Sequence, residues 1–373
     1  MASFIKANNT FAITLLKMLC QEEGKDVLFS PPSISFTLAM VLLGAKNDTA
    51  AQIEQVITIA NYRGEDLNLC FQSLLTQMNE PDPSYLLETT NRLFGENVLN
   101  FLPSFKESCE KFYNSVLEHV CFSEEAETMR KHINAWVEDN TEGKILEAVP
   151  MDSVNPLNLL IFVNAIKFKL TWKTDPEPMK RTPRSHKQEY RFSQIISKEK
   201  LFLGFYIEEL NATVYISSYD QTELIIIFVF PRDDGKKMEK ELTYETFIAW
   251  TKPDVRALKK ILGKQFLPKI KIEKSYDMFN ILCSLGMCDA FHKDKADFSG
   301  LSELKAFYLL SVFHSSSLEF NEEGIQASAA TVALEIPGNA QGKRRCKTAS
   351  LYFFFIWSQK IKSILFCGRI SSS

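Results

Sequence analysis

Five histidines, at positions 119, 132, 186, 292 and 314, and eight cysteines, at 20, 70, 109, 121, 283, 288, 346 and 367, are the side chains most able to do chemistry in this chain. Their spacing supports none of the usual reactions. There is no Gly-x-Ser-x-Gly elbow, no Gly-x-Gly-x-x-Gly turn, no phosphate loop and no His-Glu-x-x-His pair. The histidines stand apart, and an isolated histidine is read as a hydrogen-bonded structural residue. No Cys-x-x-Cys pair occurs, and Cys283 and Cys288 have no second pair nearby, so a zinc site is not expected. Glu322 and Glu323 resemble a glycosidase pair only superficially, because neighbouring residues of a strand point to opposite faces. The residues therefore predict no catalytic centre, no metal and no cofactor.

The informative stretch is Asn321 to Ala333, Asn-Glu-Glu-Gly-Ile-Gln-Ala-Ser-Ala-Ala-Thr-Val-Ala. Small side chains bury too little surface to hold a strand in place, yet such a strand can enter an existing sheet without clashing with the core beneath it. The stretch reads as a removable strand. It leads into the polar segment Leu334 to Lys347, which contains Pro337, Gly338 and Gly342 and reads as an exposed loop. Apolar strand-like segments flank both: Ser311 to Phe320 before them, Ala349 to Trp357 and Ser363 to Ile370 after them.

Upstream, apolar residues at helical spacing predict a helix through Phe4, Phe11 and Leu15. A short strand at Val27 to Phe29 and an all-apolar, buried helix from Ile34 to Leu43 follow, the latter stopped by Gly44. Asp48 and Thr49 are expected to cap a helix running to Val56, and further helices are expected over Leu67 to Met78, Phe105 to Tyr113, Met129 to Val137, Leu242 to Trp250 and Met278 to Leu285. Leu86 to Phe94, Asn158 to Phe168, Leu201 to Glu209, Thr213 to Ser218, Leu224 to Phe230 and Phe266 to Ile272 read as strands. Helices dominate the first third and strands most of the remainder, which is the pattern of an α+β fold.

The 373 residues, 45% of them hydrophobic and including 29 Phe, suffice for a sizeable core, and no linker divides them. A net charge of −3 argues against nucleic-acid binding through a general basic field. Basic clusters at Lys180 to Lys187 and Lys259 to Lys274 read as solvated surface, and that at Lys343 to Lys347 as a nuclear signal or an accessible protease target. The first residues lack a basic, apolar leader and no stretch reaches membrane-spanning length, so a cytoplasmic or nucleocytoplasmic protein with reduced thiols is expected, with non-classical secretion left open. The sequons at Asn8, Asn47 and Asn211 are then chance matches.

Several segments together resemble the serpin family. They are Val27 to Ala45 with Thr49 to Ile53, Phe162 to Lys169 with Trp172, Asp294 to Gly300, Asn321 to Gly324, and Ser363 to Ser372. The resemblance spans essentially the whole chain and is strongest to the intracellular ovalbumin-type (clade B) branch, in particular to its granzyme B inhibitor-like members. It implies one domain over residues 1–373, an α+β serpin fold of three sheets and about nine helices, and an exposed reactive-centre loop at about 321–347. The implied activity is suicide inhibition of a serine protease: the protease cleaves the loop, which inserts into the main sheet and carries the acyl-enzyme with it. The implied partner is an elastase-like or granzyme-like enzyme, or a cysteine protease; nucleic acid and membrane are not expected as partners, and a monomer is.

Carried over by position, the hinge comprises Glu322, Glu323, Gly324, Ile325, Gln326, Ala327, Ser328, Ala329 and Ala330. The sheet-opening region comprises Ser30, Ser33, Asn164, Trp172 and His314. Family loop length places the reactive bond at Gly338-Asn339. The chain departs from the family where Ile325 replaces the usual Thr, Ser or Val, where Leu170 replaces Gly, and over Lys173 to Tyr190 and Thr348 to Tyr352. Ile325 and Glu335 fall on the face that turns inward on insertion. These departures leave a non-inhibitory member, acting as a substrate or a chaperone-like binder, as the alternative.

Overall fold

A computed structural model describes residues 2–22, 24–57, 64–82, 85–157, 159–172, 202–218, 223–251, 259–261, 271–303, 307–322 and 351–371. The first helix, α1 (Ala2–Leu19), buries Phe4, Phe11, Leu15 and Leu16 on one stripe, as their spacing requires. β1 (Val27–Phe29) leads into α2 (Pro31–Gly44), whose first two positions are prolines, residues with no amide hydrogen for a helix start to leave unsatisfied. Nearly every side chain of α2 is buried, so the helix runs through the core rather than along its surface.

The remaining helices are α3 (Asn47–Val56), α4 (Gly64–Met78), α5 (Pro103–Tyr113), α6 (Phe122–Asn140), α7 (Lys236–Glu241), α8 (Tyr244–Thr251) and α9 (Phe279–Ser284). The strands after β1 are β2 (Tyr85–Glu96), β3 (Val116–Val120), β4 (Leu160–Trp172), β5 (Phe202–Ile207), β6 (Ala212–Ser218), β7 (Leu224–Pro231), β8 (Lys259–Ile261), β9 (Lys271–Asp277), β10 (Val312–Glu322), β11 (Leu351–Ser358) and β12 (Ser363–Ser371). Among the described residues they form two hydrogen-bonded sheets. One has the order β1-β12-β11-β7-β6-β5-β8, with β5 and β8 extending it past β6; the other has the order β3-β2-β4-β10-β9.

The five-stranded sheet has two buried faces, and alternation along β4 separates them. Leu160, Phe162, Ile166, Phe168 and Leu170 join the large core shared with α2 and the seven-stranded sheet. Ile161, Val163 and Ala165 join a second core with Val137, Ile133 and Phe122 of α6. Burial on both faces explains why β4 reads as a continuous apolar run.

Three sequence expectations shift, and a fourth falls partly outside the described residues. α3 begins at Asn47, so Asp48 and Thr49 lie inside its first turn rather than capping it; the Thr49 hydroxyl instead accepts the Asp297 amide at 3.0 Å. The helix expected over Leu242 to Trp250 starts at Tyr244, after a break in which the Thr243 and Thr246 hydroxyls each accept the other's amide, at 3.1 and 2.8 Å. The strand expected at Phe266 to Ile272 lies outside the described residues up to 270; the described strand, Lys271–Asp277, includes its last two residues and continues five further. α6 starts seven residues before Met129 with a short first turn, separated from the rest by a break at Glu125, in which the amides of Phe122 and Ser123 donate to Glu96 of β2.

Candidate functional site

β4 and β10 are neighbours that run parallel, in register from Val312↔Phe162 to Glu322↔Trp172. Parallel ladders are slightly weaker per residue than antiparallel ones. β10 ends where the small-residue stretch begins, and a strand folding back from that end would run antiparallel to both neighbours. The seam is therefore the place where one parallel ladder can be exchanged for two antiparallel ones.

On the large-core face, the middle of the seam carries polar side chains where the flanking positions are apolar. His314 and Asn164 are direct register partners. The His314 Nδ1 lies 2.7 Å from the Asn164 Oδ1, and the Ser30 amide donates to His314 Nε2 at 3.2 Å. Asn164 Nδ2 in turn donates to Asn91 Oδ1 on β2 at 2.7 Å. A backbone amide must donate, so Nε2 is the bare nitrogen and Nδ1 carries the proton, which makes His314 neutral. Complete burial agrees, pushing the imidazole down to about 3 from its ordinary 6.5. Next along β10, the Ser316 hydroxyl donates to the Leu28 carbonyl of β1 at 3.1 Å, and the Leu28 amide donates to the Tyr276 hydroxyl of β9 at 3.2 Å. A chain of hydrogen bonds thus crosses β2, β4 and β10 and continues to the start of α2. The hydroxyls of Ser30 and Ser33 are buried and make no hydrogen bond among the described residues.

The opposite face of the seam is covered by residues 141–149, which follow α6. Lys144 pairs with Glu319 of β10 at 2.8 Å, while Glu142 lies 3.2 Å from the buried Lys167 of β4, which also pairs with Glu88 at 2.7 Å. Further along, the Ser275 hydroxyl of β9 donates to the Glu147 carbonyl at 3.0 Å. Arg130 and Asn134 of α6 hold the far end of the segment by donating to the Val149 carbonyl at 3.0 and 2.9 Å. The segment is a strap with an ion pair to each strand of the seam.

Of the residues named from the sequence, Ser30, Asn164 and His314 are brought into one bonded group, and Ser33 lies fully buried in the first turn of α2. Trp172 and Glu322 are register partners at the far end of the seam. Glu323 to Ala330, Gly338 and Asn339 lie outside the described residues. Asn91, Tyr276, Glu142 and Lys144 were not anticipated. Asn91 alone had a local signal, a polar residue on the inward face of β2 between Leu87 and Leu93.

A family model described as serpin (serine protease inhibitor) matches residues 6–373. The chain is 44% identical over 374 residues to serpin B6 of Macaca fascicularis, covering 98% of each chain. It is 43% identical over 377 residues to human serpin B8, covering all of both. Among solved structures, uncleaved ovalbumin superposes with a TM-score of 0.79 at 22% identity, over 98% of each chain, a likeness of fold. Maspin superposes with the same TM-score at 28% identity, over 100% of this chain and 99% of that one.

Proposed function

The chain belongs to the serpin family, in its ovalbumin-type branch, and from that membership we propose that it is a suicide-substrate inhibitor of serine-type endopeptidases. The observation that carries this reading is the seam. β4 and β10 are parallel neighbours closed on one face by the His314 group and on the other by the strap, and the small-residue stretch issues directly from β10. The protease serine attacks the Gly338 carbonyl and becomes acylated, the Asn339 amine leaves with a proton, and residues from Gly324 onward, still bound to the enzyme at Gly338, fold back between β4 and β10. Gly324 to Gly338 is 15 residues, and a strand of that length spans roughly 50 Å. The acyl-enzyme at its end is carried from one end of the sheet to the other, faster than water can release it. Inserted backbone amides and carbonyls gain two ladders, which makes the step irreversible.

Gly338, behind Pro337, suits an enzyme with a shallow primary pocket, so the target is elastase-like or granzyme-like. The protein acts as a cytoplasmic monomer that binds neither nucleic acid nor membrane, and it has no turnover of its own. No helix among the described residues is long and apolar enough to cross a membrane.

Incubation with a panel of such proteases, followed by denaturing electrophoresis and N-terminal sequencing of the released fragment, tests the reading. A covalent complex and a fragment beginning at Asn339 are expected. Cleaved chain with no complex at any ratio, across the panel, would refute inhibition. That second outcome belongs to a non-inhibitory serpin, a reading favoured by Ile325 and Glu335, which period-two alternation would turn inward on insertion.

A further inference from the structure

The fold assembles a pair of thiols that inhibition does not use. α9 ends in a turn in which Gly286, at φ +110°, donates to the Cys283 carbonyl at 3.0 Å and Met287 donates to the Leu282 carbonyl at 2.9 Å. This six-to-one, five-to-two pattern folds the chain back on the helix end. The reversal returns Cys288 to Cys283: the Cys288 thiol donates to the Cys283 carbonyl at 3.2 Å. Cys288 is exposed and Cys283 half-buried, whereas Cys20, Cys109 and Cys367 are buried.

From this geometry we infer that Cys283 and Cys288 form a reversible thiol–disulfide site whose substrate is a small disulfide such as oxidised glutathione. The exposed Cys288 reacts first. Its thiolate attacks one sulfur of glutathione disulfide, a Cys288–glutathione bond forms, and reduced glutathione leaves. The Cys283 thiolate then attacks the Cys288 sulfur and expels the second glutathione, so the protein loses two protons and two electrons and the oxidant gains them. Burial first, then the hydrogen bond and charge of Cys288, push the Cys283 thiol up to about 11.

The closed ring spans only Cys283 to Cys288, so it constrains the unfolded chain little. Such a disulfide adds little stability and is readily reduced, which suits a responsive modification rather than a structural brace.

Both cysteines lie in one tryptic peptide, Ser275 to Lys293. The intact, folded protein is treated with glutathione disulfide, alkylated and digested without reductant. The expected product is this peptide lighter by two hydrogens and lacking both alkylation sites, restored by dithiothreitol, with Cys20 and Cys367 still alkylated after denaturation. Cys283→Ser should instead accumulate the glutathione adduct on Cys288, and this variant should retain the wild-type circular dichroism. If wild type accumulates that same stable adduct, or if Cys20 and Cys367 are oxidised as readily as the pair, the inference is overturned.

Discussion

Replacing His314 with Gln should remove a specific acid sensitivity of the seam. In the closed sheet the imidazole is neutral because it is buried and because Nε2 accepts the Ser30 amide. When the strands part it returns to water and to its ordinary value of 6.5. The closed form, with its histidine at about 3, takes up a proton less readily than the open form. Between those two values the open form binds more protons, so closure weakens as pH falls and is fully restored above 6.5. At pH 5 the open form has gained 1.5 pH units of protonation, worth about 2 kcal/mol or a roughly 30-fold larger opening constant.

Glutamine can accept from Ser30 and donate to Asn164 without titrating, so it leaves the bonds and removes the pH term. Asp277, Glu239 and Glu273, each raised chiefly by burial, contribute the opposite dependence, but equally in both proteins. The assay is amide hydrogen exchange of peptides covering 160–168 and 312–318, corrected for intrinsic exchange, at pH 7.5 and 5. The wild-type opening constant should rise about 30-fold more than that of H314Q. Equal rises in the two proteins would mean that His314 is not what senses acid at the seam, and the assigned tautomer would lose its support.

Three further perturbations act on other parts of the mechanism. Removing both partners of the strap's outer ion pair with Lys144→Met and Glu319→Gln should speed uptake of a synthetic peptide copying residues 324–337 by about fivefold. That corresponds to about 1 kcal/mol for a half-exposed pair, and 1 M salt should do the same to wild type but not to the double variant. Ile325→Thr relieves overpacking worth about 1 to 3 kcal/mol at the first position to insert and should lower the ratio of cleaved to trapped chain, read by densitometry of denaturing gels. Gly368→Ala should abolish soluble expression, because a Cβ there would sit 2.0 Å from the Val27 carbonyl oxygen and 2.8 Å from the Phe354 ring.

The parts of the fold legible from the sequence are those whose burial is uniform. α2, β4 and β12 are buried almost throughout and mainly apolar, and each was placed within a few residues. β9 runs on to Asp277, beyond the expected end at Ile272, because Glu273 and Lys274 hide the strand's period there. β3 is too short, and the start of α6 depends on a carboxylate from another strand, so neither leaves a local mark. The same distinction governs the site. Ser30, Ser33, Asn164 and His314 came from the family resemblance; Ser30, Asn164 and His314 share one hydrogen-bonded group, and Ser33 is buried in the first turn of α2. The strap could not be read, since Lys144 and Glu319 are 175 residues apart and neither is unusual in its own surroundings.

The order of the chain bears on how the closed form is reached at all. β4 is synthesised first, β10 second, and the stretch able to displace that pairing last, at a rate of about 5 to 20 residues per second. A parallel ladder between residues 160 and 322 therefore has its partners in hand before any competing strand exists. The final contacts are made by the opposite end of the molecule: β1 pairs with β12 through Val27↔Arg369, and Asn9 holds Ile364 and Lys362. On the proposed insertion mechanism, biosynthesis would work as a clock that selects the first sheet that can form. A chain refolded from denaturant, with every strand present at once, enjoys no such ordering, and its yield of closed molecules should fall below that of the ribosome.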